Sequence, residues 1–438
     1  MSSEWIKLGQ QTLTYTVGAS SGKIIALLTV PLYLHYLTPS QYGFIGIALA
    51  TTTGAKILGV IGGSGALGIR YFAASGPSAQ REVLRSAVLL NAASAFVSLS
   101  VVLGILALAL GAVTQLDLQA SIFLGLTALS VAIGIASEPL MLGLQLEQRA
   151  NYVVAINVGA SVTGGLLGCG LLISGMGVSS WAAGQLISSL LILCFSKTYT
   201  TAALSTARVC TAECRALLKT WYPLVPGAAL AAAVPVIAPY LLWQTGGAQA
   251  AGLFAVASQF AGVVALLTGA LATAWLPYFQ SHVNQQIEWT HTYRRLLHIH
   301  LIGGTLICIV VIAVADDALR WLAASSYASA GKAIYPLVVA NVLGSLWSFL
   351  LPGTYFAGHT ATVSWTHFIG AITAGIVLAA YGTGLDAIAA AKALALGSAA
   401  VVLFQLLINS TRQYQVHRFG HGWVVATTLG LCTSLFVG

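Results

Sequence analysis

Charged side chains deep inside apolar segments are the residues of this 438-residue chain that could do chemistry. Three lysines each lie within an apolar run: Lys23, Lys56 and Lys392. Arg70 lies at the end of the run that contains Lys56. A lysine at the centre of a membrane helix costs about 2.5–3.5 kcal/mol, so such residues are rare and usually functional. Because lysine binds phosphate as a point charge, these positions predict a site for an anionic substrate.

The positions of the four cations leave structural interpretations open. Lys23 and Lys56 fall near the middle of the first two predicted spans, where they could instead pair with Glu138 as a structural lock or extend towards the interface. Lys392 lies about 9 Å below the outer end of the twelfth predicted span and is better placed to snorkel. Arg70 lies within roughly 40° of Lys56 around a continuous helix, but it could equally be an anchor at the inner end.

Glu138 is the acidic residue deepest in the predicted spans, and Pro139 follows it directly. Proline removes a hydrogen bond from the helix ladder and frees backbone groups nearby. A carboxylate beside such a break could take up a proton or help to bind sodium, or it could pair statically with a lysine. Glu138 could have both roles if it pairs with a lysine in the resting protein. The substrate would then compete for the lysine, and a proton would bind the released carboxylate.

The composition indicates that a lipid bilayer surrounds the elements that position these residues. Hydrophobic residues make up 58% of the chain and charged residues 6%, with a mean hydropathy of +0.89. A soluble protein carries about four times that charged fraction. Apolar runs of roughly 20 residues recur, and each is long enough to cross a hydrocarbon core of about 30 Å. The predicted spans are 12–34, 43–69, 86–112, 118–145, 151–174, 178–197, 220–243, 250–279, 296–315, 333–357, 361–382 and 386–408.

The fold class predicted from these spans is an all-α polytopic membrane protein with twelve transmembrane helices and a short apolar segment in the tail that could be a thirteenth. With a cytoplasmic N-terminus, thirteen of the eighteen Lys and Arg residues fall on the cytoplasmic side, two fall outside and three lie in spans. This is the positive-inside pattern. The net charge of +8 is therefore a topology signal, which argues against a nucleic-acid partner.

Short motifs recur in the same order in both halves of the chain. The second span ends with GIRYF and the eighth with WLPYF. The other matched pairs are Gly43 with Gly252, Gly175 with Gly382, Gly177 with Gly384, and Gln185 with Lys392. Six spans per half keep both copies in one orientation, which predicts two six-helix lobes related by a pseudo-twofold axis along the membrane normal.

The predicted divisions are an N-terminal lobe at 1–199, a linker at 200–219, a C-terminal lobe at 220–410 and a tail at 411–438. In the linker, Arg208, Arg215 and Lys219 share one face of a helix. Leucines and a valine supply apolar surface elsewhere, so we predict an interfacial helix on the cytoplasmic side.

Three stretches of the chain resemble a known family. They are GKIIALLTVPLYLHYLTPSQYGFIGIA, LGVIGGSGALGIRYF and AGLFAVASQFAGVVALLTGALATAWLPYF. They look like the polysaccharide transporter family, which includes the Wzx-type flippases for O-antigen and related repeat units. This family belongs to the MATE-like multidrug/oligosaccharidyl-lipid/polysaccharide superfamily. The likeness covers about residues 8–410.

The resemblance implies a MATE-like fold and movement of an undecaprenyl-diphosphate-linked oligosaccharide from the inner to the outer leaflet of a bacterial inner membrane by alternating access. It also implies a central cationic cavity between lobes and coupling to a proton or sodium gradient. Lys23, Lys56, Arg70 and Lys392 would then bind diphosphate or sugar, and Glu138 would couple the ion. The expected partners are the lipid-linked oligosaccharide, H⁺ or Na⁺, membrane lipids and the polysaccharide polymerase machinery of lipopolysaccharide biosynthesis.

Two other functions are consistent with parts of the sequence. A MATE-type exporter of cationic drugs or metabolites requires acidic residues in its cavity, whereas here three deep lysines stand against one glutamate. A non-transporting scaffold for polysaccharide assembly would not need deep lysines at all. The sequence has no nucleophile–base arrangement, nucleotide-binding loop or metal motif, which argues against an enzyme and predicts no cofactor.

Overall fold

The computed structural model describes residues 22–61, 63–111, 118–147, 149–204, 210–284, 290–351, 354, 361–411 and 421–436. Every regular element in these ranges is helical, which confirms the predicted all-α fold class for this part of the chain. The chain divides into two compact units. The first comprises Met1–Leu37 and Ile47–Ala229, and the second comprises Thr38–Gly46 and Leu230–Gly438. The predicted boundaries with a separate linker at 200–219 stay predictions.

The helices of the first unit are connected mostly by short turns. They are α1 at residues 22–36, α2 at Pro39–Gly59, α3 at Ser64–Ala73, α4 at Pro77–Gly111, α5 at Leu118–Leu146, α6 at Ala150–Leu171, α7 at Ser179–Leu204 and α8 at Thr211–Trp221. A π-helical turn, Leu172–Met176, follows α6. The start of α2 belongs to the second unit.

The second unit has a similar sequence of long helices. They are α9 at Val225–Asn284, α10 at Thr290–Leu322, α11 at Gly331–Leu350, α12 at Ala361–Tyr381, α13 at Ala387–Thr411 and α14 at His421–Ser434. Gly247 interrupts α9 with φ +74°, so two helices meet there as the spans 220–243 and 250–279 predict.

Nine helical segments in the described ranges are long and apolar enough to cross a membrane. The chain is therefore a multi-pass membrane protein. One of the nine segments, Thr211–Leu266, contains the interruption at Gly247. The number of segments therefore does not test the prediction of twelve transmembrane helices. Helix α14 has 14 residues and spans about 21 Å, less than a hydrocarbon core of about 30 Å.

The second predicted span, 43–69, is not one helix. Helix α2 ends at Gly59 and α3 begins at Ser64, with a turn between them that includes residues 61 and 63. Gly63 has φ +21° in this turn, at the edge of a region that residues with side chains rarely adopt. The predicted common face of Lys56 and Arg70 required a continuous helix and is therefore wrong. Lys56 lies in the last turn of α2, so its predicted place near the middle of a continuous span is wrong as well.

Helix α4 satisfies the backbone groups that this turn exposes. Asn91 donates a hydrogen bond to the carbonyl of Ile61 at 2.7 Å, and Ser94 donates one to the carbonyl of Gly59 at 2.6 Å. An unpaired carbonyl would be costly inside a bilayer, so these two side chains make the interruption tolerable.

One pair of glycines matched by the internal repeat has positive φ in both halves of the chain. Gly175 has φ +92° and Gly382 has φ +51°, and each lies between the last two long helices of its half. Glycine adopts positive φ without the steric penalty of a Cβ atom. The repeat seen in the sequence therefore corresponds to a repeated turn in the fold.

Helix α8, which covers part of the predicted linker, docks on the first unit. Leu217 is fully buried in a cluster formed with Leu67 of α3, Val83 and Leu84 of α4, and Leu142 of α5. The basic side chains of α8, Arg215 and Lys219, stay on its exposed side, as its predicted amphipathic pattern requires. Burial of this leucine fixes α8 to the ends of α3, α4 and α5.

Leu217→Ala should lower the stability of the protein by about 2–5 kcal/mol, because it leaves a cavity in this cluster. The matched control is Leu218→Ala, since the neighbouring Leu218 is 38% exposed. Thermal unfolding in detergent, followed by tryptophan fluorescence, measures the difference. Equal unfolding temperatures for the two variants would contradict the docking of α8.

The glycines that the repeat pairs, Gly43 and Gly252, face each other within the second unit. A methyl group added at Gly252 would clash with the carbonyl oxygen of Pro39 and lie 2.9 Å from the backbone nitrogen of Gly43. A methyl group added at Gly43 would in turn clash with the carbonyl of Ala248. The two helices therefore cross with their backbones in contact, as small residues permit in membranes.

Gly252→Ala should destabilise the protein by about 1–3 kcal/mol, the usual cost of overpacking. Gly262→Ala on the same helix is the control, because an added methyl group there has no heavy atom within 4 Å. Thermal unfolding distinguishes the two. If Gly252→Ala unfolds at or above the temperature of Gly262→Ala, the close crossing is absent.

Candidate functional site

The side chain of Lys56 lines a small polar cavity of about 70 Å³ inside the first unit. Three helices, α2, α5 and α7, form the cavity. The residues that line it are Leu49, Thr52, Lys56, Thr127, Ser130, Val131, Trp181, Gln185 and Ser189. Lys56 is the charged group of this lining, and no carboxylate belongs to it.

The hydroxyl groups around Lys56 are partly engaged and partly available. Ser130 and Ser189 share a hydrogen bond of 3.1 Å between α5 and α7, and Thr52 donates to the carbonyl of Ala48 at 2.7 Å. Thr127 is 2% exposed, and its hydroxyl has no hydrogen-bond partner among the described residues. Together with the ammonium group, these hydroxyls favour an anionic or polar occupant.

Glu138 lies one helical turn from the surface that Lys56 contacts. A methyl group added at Gly134 would lie 3.6 Å from Cε and 3.9 Å from Nζ of Lys56. Gly134 and Glu138 are four residues apart on α5 and therefore share a face. Glu138 is exposed, and within the described ranges neither it nor Lys56 forms an ion pair. The structure thus brings the two residues onto one surface without pairing them.

Lys23 lies on the exposed side of α1. The opposite side packs on α6, where a methyl group at Gly22 would lie 3.3 Å from Ser161 Oγ and one at Gly165 would lie 3.0 Å from Ile25 Cγ2. This contact through small residues fixes the rotation of α1 and directs Lys23 away from α6. The predicted role of Lys23 stays a prediction.

Arg70 is bound to the linker helix. Its Nη2 donates to Oε1 of Glu213 at 2.8 Å and to Oε2 at 2.6 Å. The two side chains are 31% and 25% exposed, so the ion pair is partly shielded from solvent. Glu213 also lies in the first turn of α8, where a carboxylate is favourable. Arg70 acts here as a tether for α8, and its substrate role stays a prediction.

Lys392 is half-buried on α13, and its Nζ lies 5.7 Å from the ring centroid of Phe436. This is a cation–π distance. The same tail segment is held by a hydrogen bond between Tyr335 and Ser434. The structure therefore places Lys392 against the tail, and its substrate role also stays a prediction.

Sequence reasoning missed most of the polar groups around Lys56. Thr127, Ser130, Gly134 and Glu138 recur on α5 at intervals of three or four residues, which marks one face of an otherwise apolar helix. That periodicity is the signal that could have found them.

In the second unit, His300 is a buried polar residue of α10. It is 4% exposed, and its Nε2 lies 3.1 Å from Ser345 Oγ.

The fold is that of MOP-superfamily transporters. A multidrug resistance MATE family transporter of this superfamily, in an inward-facing conformation, is similar over 92% of this chain and 98% of its own, with 15% identity and a TM-score of 0.73. The lipid II flippase MurJ, in an inward closed conformation, is similar over 97% of this chain and 92% of its own, with 15% identity and a TM-score of 0.74.

A third similar structure is a MOP superfamily transporter from Pyrococcus furiosus whose binding pocket is described as having reverse polarity. It covers 93% of this chain and 95% of its own, with 13% identity and a TM-score of 0.60. No family model matches the chain, and no curated protein matches its sequence. At these identities the likeness establishes the fold, and it confirms the predicted MATE-like architecture.

Proposed function

We propose that this protein is a flippase that moves an undecaprenyl-diphosphate-linked oligosaccharide from the inner to the outer leaflet. The observation that carries this proposal is the position of Lys56 in a cavity lined by hydroxyl and amide groups and by no carboxylate. The fold shared with a lipid II flippase supports it. O-antigen or another polysaccharide repeat unit is the substrate class that the sequence resemblance adds.

The chemistry of the substrate matches that of the cavity. A diphosphate carries its negative charge on oxygen atoms, which an ammonium group and hydroxyl donors bind with charge-assisted hydrogen bonds. In a region of low dielectric these bonds are stronger than in water. The polyprenyl chain is apolar and can remain in the lipid while the polar head crosses.

In the proposed mechanism, Lys56 and Lys23 bind the diphosphate during alternating access, and Arg70 and Lys392 contribute when their present contacts are released. Glu138 lies on the face of α5 that Lys56 contacts at Gly134, and it couples the transport cycle to H⁺ or Na⁺. A bacterial inner membrane and a cytoplasmic N-terminus belong to this proposal through the distribution of Lys and Arg.

Export of a cationic drug or metabolite is the second candidate. The observation that favours it is Glu138, which is exposed and forms no ion pair within the described residues. A carboxylate in this state could bind a cation directly. The ammonium group of Lys56 one turn away would oppose such binding, so we rank this function second.

Lys56→Gln should slow flipping about 10- to 100-fold, because a charge-assisted hydrogen bond contributes about 1.5–3 kcal/mol. The measurement reconstitutes the full chain in proteoliposomes and follows the exposure of a lipid-diphosphate oligosaccharide on the outer leaflet. Lys219→Gln is the control, since Lys219 is an exposed lysine on α8. Lys23→Ala is measured beside it.

The outcomes of this experiment separate the candidates. If the intact protein flips the lipid and Lys56→Gln flips it equally fast, the flippase proposal survives and Lys56 is structural. If the intact protein fails with the lipid but moves a cationic dye, it is an exporter. If it moves neither, a non-transporting scaffold is favoured.

Glu138→Gln should abolish the response of the flipping rate to an imposed proton or sodium gradient, because the amide mimics the neutral carboxyl group and cannot release a proton. Glu147→Gln is the matched control on the same protein. Glu147 lies just beyond α5 and pairs with Arg149 at 2.9 Å. Gradient dependence that persists in Glu138→Gln would exclude Glu138 as the coupling residue.

A further inference from the structure

The second unit contains a cavity of about 380 Å³ that the proposed mechanism does not use. It lies among α9, α11, α12 and α13, and all the residues that line it belong to this unit. Its volume is within the usual range of small-molecule sites, about 300–1,000 Å³. The polar side chains that line it are Thr268, Asn341, Ser345, Trp347, Ser348, His367 and Ser398.

Several of these polar groups have no hydrogen-bond partner inside the protein. Ser348, His367 and Ser398 make no hydrogen bond with any described residue, and the buried indole nitrogen of Trp347 is also unpartnered there. Serine in a membrane helix ordinarily donates to a carbonyl of its own helix, as Ser345 does to Val342 at 2.9 Å. Polar groups left unpaired are costly once water is excluded from them, so an occupant with hydroxyl groups fits this lining.

The lining also contains apolar and aromatic groups. Leu230, Val234 and Pro235 of α9 belong to it, and so does Trp347 of α11. The imidazole of His367 lies 4.4 Å from that indole, centroid to centroid, at an angle of 64°. An aromatic ring face beside hydroxyl partners can cover the C–H face of a sugar ring while its hydroxyl groups are hydrogen-bonded.

The cavity is also free of charge. Its lining contains no Asp, Glu, Lys or Arg, and none occurs in the sequence between Lys219 and Glu288, which includes α9. A cationic ligand would lack a carboxylate partner here, and a phosphate would lack a cation. A purely apolar ligand would leave the serine and histidine groups unpaired.

We propose that this cavity is a binding site for neutral carbohydrate, separate from the Lys56 cavity of the first unit. This inference rests on the proposed function and names a second part of its substrate class: the sugar attached to the diphosphate. Trp347 supplies the ring face, and Ser348, His367 and Ser398 supply hydrogen bonds to hydroxyl groups.

The test compares lipids that differ only in the sugar. The full chain in lipid nanodiscs is titrated with undecaprenyl diphosphate and with the same lipid carrying glucose, galactose, N-acetylglucosamine or N-acetylgalactosamine. At least one sugar-bearing lipid should bind about tenfold more tightly than the sugar-free lipid, a difference of about 1.4 kcal/mol. Trp347→Leu should remove this increment and leave the affinity for the sugar-free lipid unchanged.

Two further variants serve as an alternative to Trp347→Leu and as its control. His367→Phe preserves a ring of similar size and should reduce the sugar increment if Trp347→Leu fails to fold. Trp365→Leu is the control, because Trp365 is 59% exposed on α12 and does not line the cavity. Lys56→Gln should weaken both kinds of lipid by the same factor.

The experiment distinguishes failure of the carbohydrate site from failure of the proposed function. If the intact protein binds undecaprenyl diphosphate and none of the four sugars improves the affinity, the carbohydrate site is wrong and the proposed function stands. If the gain in affinity from the sugar persists in both Trp347→Leu and His367→Phe, the sugar binds elsewhere and the proposed carbohydrate site is wrong. If the intact protein binds no diphosphate lipid, the proposed function and this inference fall together.

Discussion

Lys56, in the last turn of α2, meets polar groups from two other helices, and the packing of this part of the first unit depends on that contact. The hydroxyl and amide groups near its ammonium come from α5 and α7, so the three helices must pack closely enough for their side chains to meet. The residues at that junction are small. Gly134, Ser130 and Ser189 leave room for the lysine side chain, and the hydrogen bond between the two serines holds α5 to α7. Packing and electrostatics are therefore satisfied by the same residues.

Close approach of helix backbones is the second consequence of folding in lipid. In the first unit, a methyl group at Gly184 of α7 would lie 2.6 Å from the carbonyl oxygen of Gly164 on α6. In the second unit, one at Gly397 of α13 would lie 2.8 Å from the carbonyl oxygen of Gly370 on α12. Without a hydrophobic force between helices, such contacts supply the packing energy. Each half thus joins its last two long helices in the same way.

The sequence predicted features that depend on one helix at a time. The lengths of the apolar runs predicted where the long helices lie, and the matched glycines Gly175 and Gly382 indicated a turn that occurs in both halves. Features that depend on several helices were not accessible. The turn between α2 and α3 is stabilised by Asn91 and Ser94 of α4, and the length of an apolar run does not indicate these partners.

The ion pair of Arg70 is a similar case among the candidate site residues. Its partner Glu213 is 143 residues away, and only the docking of α8 brings the two together. Lys392 likewise meets Phe436 because α14 packs on the second unit. Periodicity defines a face of a helix, but the neighbour of that face depends on tertiary packing.

The two halves have kept their architecture and diverged in charge. The same spacing of 207 residues separates Phe72 from Phe279, Gly175 from Gly382 and Gln185 from Lys392. At that spacing Lys56 corresponds to Val263, so the cation of the first unit has an apolar counterpart in the second.

The reverse substitution, from Gln185 to Lys392, does not bring charge into the cavity of the second unit. Lys392 is absent from the lining and lies over Phe436 of the tail instead. One half therefore presents an ammonium group to its cavity and the other presents none. Under the proposed function, the charged cavity of the first unit would take the anionic diphosphate and the uncharged cavity of the second unit would take the neutral sugar.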